Sequence, residues 1–218
     1  MTKKERFFKI KAELDKLYKN PHCTLNYNSP FELLIATMLA AQCTDARVNI
    51  VTEQMFRKYN TPQMFSKLRL EEIEEEIKST GFYKNKAKNI KKCSLQLLEK
   101  YNGEVPENME DLVSLAGVGR KTANVVRGEI FNKPAIVIDT HAKRLANRMG
   151  LTKSDDPVKI EFELKKFIPE EYQFQFCHCL VFHGREICKA QKPLCGVCPI
   201  NSFCPHNLKK DKETKKGK

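Results

Sequence analysis

Four cysteines lie within seventeen residues near the end of the chain: Cys188, Cys195, Cys198 and Cys204, spaced C-x6-C-x2-C-x5-C. No other stretch limits the local fold so tightly. Pro193, Pro199 and Pro205 stand between and beside them, and proline lacks the backbone N–H that a regular helix needs. The segment is therefore expected to be a loop wrapped around something. Four thiolates converging on one point suit an iron–sulfur cluster or a tetrahedral zinc ion. A disulfide pair is the remaining possibility.

Compartment bears on that choice. The N-terminus, Met1-Thr2-Lys3-Lys4-Glu5-Arg6, leads into a charged amphipathic stretch. Neither a signal peptide nor a membrane span is visible. A reducing interior follows, where the nine cysteines are expected as thiols or metal ligands. Cys23, Cys43, Cys93, Cys177 and Cys179 lie in apolar or helical patterns and read as buried, inert thiols.

Outside the cysteine loop, helical periodicity dominates. Phe7, Ile10, Leu14, Leu17 and Tyr18 make one apolar face. Ser29-Pro30-Phe31-Glu32 reads as a helix start, with Ser29 as N-cap and Glu32 as capping-box partner. The run Leu33 to Ala41 is apolar nearly all round, which predicts a central, buried helix. Further helical patterns run at 45–59, 71–78, 86–101, 108–115, 120–131, 140–149, 157–167 and 171–186. Only Pro134 to Ile138 resembles a strand, and a lone strand leaves its backbone groups unpaired. An extended buried connector is expected there, in an all-α fold.

The formal net charge is +12, which points to a polyanionic partner, nucleic acid being the commonest. Part of the excess sits in the tail from Lys209 to Lys218, which has no apolar content and is expected to be disordered.

Leu115-Ala116-Gly117-Val118-Gly119-Arg120-Lys121 sits between two helical patterns. Two glycines flanking one apolar residue allow a tight turn with positive φ and a close approach of backbone to a ligand. The free N–H groups of the following helix can then hold a phosphate oxygen. Such a helix–hairpin–helix anchor is blind to base sequence. Lys121 would stand at the helix N-terminus, where the dipole disfavours its ammonium form and leaves the neutral amine more accessible. Binding a phosphate without chemistry is the plainer role. Asp139 follows the apolar run 136–138 and reads as an N-cap. Backbone N–H bonds to it would keep it ionised, able to stabilise an oxocarbenium-like sugar.

These three motifs together resemble the endonuclease III family, the iron–sulfur DNA glycosylases of the helix–hairpin–helix superfamily. The resemblance runs from about Ala12 to Pro205. It implies two helical domains with a cleft between them: a six-helix barrel over 22–132, and an iron–sulfur domain from 1–21 plus 133–208. It implies one [4Fe–4S] cluster on the four cysteines, with Lys121 and Asp139 as catalytic residues. Gln42 matches the family's plug residue, and Phe82 its wedge, where leucine is more frequent. Gly117, Val118, Gly119, Arg120, His141, Lys189 and Lys192 are expected at the DNA.

The implied activity is excision of oxidised or damaged pyrimidines from duplex DNA, followed by cleavage at the abasic site through a lysine Schiff base. A monomer is expected, in the cytoplasm and at the nucleoid if the source is a prokaryote. Ala116, where the family usually carries proline, Cys43 and Lys143 depart from the pattern. Rival readings are a mismatch-specific monofunctional glycosylase and a metal-stapled DNA-binding protein without catalysis.

Overall fold

A computed structural model describes residues 1–208, and the basic tail read at 209–218 lies outside the described residues. The helices are α1 (Lys3–Leu17), α2 (Pro30–Leu39), α3 (Asp45–Lys58), α4 (Pro62–Lys67), α5 (Leu70–Ile77), α6 (Tyr83–Tyr101), α7 (Met109–Ser114), α8 (Arg120–Glu129), α9 (Thr140–Arg148), α10 (Pro157–Lys165) and α11 (Glu170–Glu186). Short 3-10 turns cover Lys78–Thr80, Cys195–Val197 and Asn201–Phe203. No strand occurs among the described residues, and the fold is all-α.

Helix starts follow local cap chemistry. Thr2, Ser29, Thr44, Thr61, Asn108, Asp139 and Asp156 each accept a first-turn backbone N–H on a side-chain oxygen. These bonds satisfy donors that a helix otherwise leaves open. The box expected at Ser29 is displaced by one residue. Ser29 accepts the Glu32 N–H at 3.1 Å, but the Glu32 carboxylate bonds the Asn28 N–H at 2.6 Å. The Asn28 amide adds a second donor at 3.2 Å, and two bonds from one residue outweigh one from Ser29. Helix α4 escapes a reading by periodicity because six residues are too few to display a 3.6 repeat; only Thr61-Pro62 signals it.

From Phe31 to Leu39 every residue of α2 is buried. The segment from Pro134 to Ile138 is extended without a strand partner, with Ala135 and Ile136 fully buried. The Val137 N–H meets the Cys177 sulfur at 3.2 Å instead of a neighbouring strand.

The chain forms two compact units, one of Cys23–Lys133 and one combining Met1–His22 with the described residues from Pro134 to Leu208. The first packs α2 with α3, α5, α6 and α8 around Leu34, Ile35, Met55, Ile73, Ile90, Leu97 and Val126. In the second, Phe7, Ile10 and Leu14 of α1 join Leu145, Leu164, Phe176 and Leu180. Phe7 meets Phe176 edge-on, with ring centroids 5.0 Å apart.

Candidate nucleic-acid interface and iron–sulfur loop

Between α7 and α8 the chain turns within five residues. Leu115 and Val118 are buried and pin the turn to the core, and the Val118 N–H closes it onto the Leu115 carbonyl at 3.1 Å. The two glycines have different reasons. Gly117 has φ +76°, and a Cβ there would lie 2.7 Å from Asn89 Cβ and 2.9 Å from Met38 Cε. The fold itself requires it. Gly119 has an ordinary φ of −87°, and a Cβ there would meet nothing within 4 Å.

Gly119 caps α8 without a side-chain bond. It therefore places no cap side chain over the first turn of that helix, which suits an anion seat. Arg120 and Lys121 form the first turn of α8, and Lys121 is exposed. Sequence reading missed Gln96 of α6, which accepts the Ala116 N–H at 2.7 Å and donates to the Ser114 carbonyl at 3.3 Å. A proline at 116 could not make the first of these bonds.

Backbone strain marks further positions. Among the described residues, five other than glycine have positive φ: Gln42, Phe82, Asn102, Asn132 and Lys192. Asparagine tolerates that region; Gln, Phe and Lys do so at a cost of about 1–3 kcal/mol when the surroundings impose it. Those three are among the side chains singled out by sequence for DNA. Phe82 is 65% exposed, caps α6, and follows Gly81 at φ 72° and ψ 153°, a region essentially reserved for glycine.

Asp139 is the N-cap of α9 and accepts the Ala142 N–H on Oδ1 at 2.7 Å. His141 is half-buried; a Cβ added at Gly184 of α11 would lie 2.7 Å from its Nδ1. Burial pushes the His141 imidazole below its ordinary value. Close packing on α11 is enough to explain where its ring lies.

Cys188, Cys195, Cys198 and Cys204 line one small cavity together with Ile187, Leu194 and Ile200. Burial pushes the Cys198 thiol up to about 11, and Cys204, Cys188 and Cys195 push it in the same direction. Cys204 is raised for the same first reason. Four sulfurs so placed need cations to hold them as thiolates. No three His, Cys, Asp or Glu side chains among the described residues are gathered tightly enough to grip one ion. A four-iron cube instead takes one thiolate at each corner, so sulfurs spread around a shared cavity fit it.

The loop is also tied to α9 by two arginines four positions apart, which sequence reading missed. Arg144 Nη2 donates to the Gly184 and Cys188 carbonyls, each at 3.0 Å. Arg148 donates to the Lys189 carbonyl at 2.7 Å and the Ala190 carbonyl at 2.8 Å, and lies 3.5 Å from the Cys188 sulfur. Lys189 and Lys192 ride on this loop and are exposed. His183, fully buried and pushed down to about 4 by that burial, has Nε2 3.5 Å from the Cys198 sulfur. Outside the loop, burial pushes the Cys93 and Cys177 thiols up to about 12, and those of Cys23 and Cys179 to about 11. Cys23 and Cys43 are only half-buried, unlike the buried thiols expected at both.

Comparison with known proteins places these features. Residues 35–170 match the model of the HhH-GPD superfamily base excision DNA repair proteins, and residues 188–204 match the iron–sulfur binding domain of endonuclease III. Endonuclease III of Synechocystis sp. is 47% identical over 94% of this chain and 94% of its own. Endonuclease III of Bacillus subtilis is 46% identical over 92% and 93%. A solved structure described as a trapped endonuclease III–DNA covalent intermediate superposes with a TM-score of 0.92 at 45% identity, covering 97% of this chain and 100% of that one. No helix among the described residues is long and apolar enough to cross a membrane. The matched iron–sulfur segment begins and ends on the first and fourth cysteines of the loop, and the cofactor is a [4Fe–4S] cluster. With most of its length matched at this identity, the chain belongs to the endonuclease III family.

Proposed function

We propose that the chain is a bifunctional DNA glycosylase and abasic-site lyase, acting as a monomer on duplex DNA that carries oxidised or otherwise damaged pyrimidines. One observation carries this reading: an exposed lysine in the first turn of a helix whose cap, Gly119, carries no side chain to cover that turn, in a chain of this family. A helix start capped by glycine suits a phosphate, and the same turn offers the amine to the neighbouring sugar. A relative 45% identical to this chain forms a covalent intermediate with DNA.

The damaged nucleotide leaves the stack before it reacts. Gln42 and Phe82 are suited to fill the gap and to part the bases, being exposed on strained backbone. Lys121 Nζ, as the neutral amine, attacks the anomeric carbon. The bond to the base breaks with its electron pair on the base, which takes up a proton. Opening of the sugar gives an imine between Lys121 and the anomeric carbon. The imine acidifies the neighbouring C2′ proton, and its removal expels the 3′ phosphate by β-elimination. The Asp139 carboxylate stabilises positive charge on the sugar during the first step, with its position set by the bond to the Ala142 N–H.

Cys188, Cys195, Cys198 and Cys204 would hold the cluster, which supplies a rigid cross-link to the loop. Lys189 and Lys192 then meet phosphates from that loop. Assay on a panel of defined lesions in duplex DNA, with borohydride added, tests the whole reading. Excision of damaged pyrimidines with capture of a covalent adduct is expected. Excision with no adduct would leave a monofunctional glycosylase, and binding with neither would leave a DNA-binding protein without catalysis.

A further inference from the structure

Lys86 is 7% exposed, an unusual state for a lysine. It lies in the first turn of α6, where the helix dipole opposes an ammonium. Burial also pushes it below its ordinary value. Something must offset both costs. Its Nζ donates to the Leu39 carbonyl at 2.8 Å and to the Thr80 carbonyl at 2.8 Å. Leu39 is the last residue of α2, three before Gln42; Thr80 closes the 3-10 turn, two before Phe82. One buried charge therefore grips a carbonyl two or three residues ahead of each of two exposed residues on strained backbone, Gln42 at φ 54° and Phe82 at φ 48°. Helix C-termini carry partial negative charge, so the ammonium is well matched to the end of α2.

The same frame holds the hairpin. Gly117 packs bare against Met38 of α2 and Asn89 of α6, one residue before Leu39 and three after Lys86. A shift of the α2 end relative to α6 would therefore displace the plug and wedge positions together.

We propose that Lys86 is a positioning residue for opening the duplex: it locks the Gln42 and Phe82 loops in one mutual register. The inference rests on the functional reading above, in which those two side chains enter the base stack. A buried ammonium suits this role because it has three donors on one point. An apolar residue of the same length would leave two carbonyls without partners and let the loops relax independently.

The test compares two substrates with Lys86→Met, read beside the wild-type chain. A duplex bearing thymine glycol must be opened before excision. An abasic site in a single strand needs no opening before β-elimination. Excision from the duplex is expected to fall by roughly tenfold to a hundredfold, the scale of a small misplacement in a positioned site. Cleavage of the single-stranded abasic site should fall no more than about threefold, since Lys121 stays on its own helix turn. Amide exchange should quicken at residues 40–43 and 80–83 and stay unchanged within α8.

Equal loss on both substrates, tracking the folded fraction, would mean that Lys86 only stabilises the unit and would overturn the proposal. Unchanged duplex excision would do the same. Lys86→Gln, which keeps a donor at the site, gives the same readings if the methionine variant is insoluble, with an intermediate loss expected. If the wild-type chain itself forms no borohydride adduct with abasic DNA, the functional reading fails first, and that outcome is distinct from a failure at Lys86.

Discussion

The glycine turn at 115–119 and the cysteine loop at 188–204 are held in place by different means. The turn is fixed by packing: Leu115 and Val118 are buried, and Gln96 ties its backbone on one side. The loop contains only two 3-10 turns and offers few apolar side chains to a core. Its order depends on arginine bonds to its carbonyls, and the cavity its four thiols line is where the cluster would be held. Both present cationic groups beside backbone, yet one is assembled by folding and the other is stapled. The difference predicts separate failures.

Removing the cluster should produce the largest effect. Chelation, or Cys198→Ser, is expected to expose residues 188–208 to protease while α1, α9 and α11 keep their shared core. DNA affinity should fall by about tenfold or more as the loop's phosphate contacts are lost. Limited proteolysis and filter binding read the two parts. Equal collapse of the 23–133 unit would deny the contrast.

Within the turn, the same substitution should act oppositely at the two glycines. Gly117→Ala introduces a Cβ 2.7 Å from Asn89 Cβ at φ +76°, and should cost about 2–4 kcal/mol in urea unfolding. Gly119→Ala meets nothing within 4 Å, so stability should change by no more than about 0.5 kcal/mol. Its methyl group would crowd the anion seat instead, and DNA affinity should drop about tenfold, the value of a charge-assisted bond. A smaller effect is expected for Gln96→Ala, about 1 kcal/mol of stability for two backbone partners released near the surface. Smallest is Lys192→Ala, which should lower the slope of log affinity against log salt by about one phosphate contact, leaving folding unchanged.

Local chemistry made much of this legible beforehand. Ser29 and Asp139 announce helix starts because a cap acts on residues two or three positions away. The paired glycines and the cysteine spacing are local in the same sense. What sequence reading missed is long-range or short in extent. Arg144 and Arg148 reach carbonyls about forty residues on, and Lys86 reaches back 47 residues to Leu39. No periodicity records such bonds. Glu32 caps through Asn28 rather than Ser29 because Asn28 brings two donors to one carboxylate oxygen. The Ala116 departure takes its meaning from Gln96, a side chain 20 residues earlier that accepts its N–H.

The assignment of the chemistry to Lys121 can be read directly from the covalent adduct. Abasic duplex DNA is incubated with the protein and borohydride, the adduct is digested, and the modified peptide is sequenced by mass spectrometry. The expected result is a single reduced sugar adduct on Lys121, absent from Lys121→Ala. An adduct on another lysine, or an undiminished yield from Lys121→Ala, would contradict the assignment.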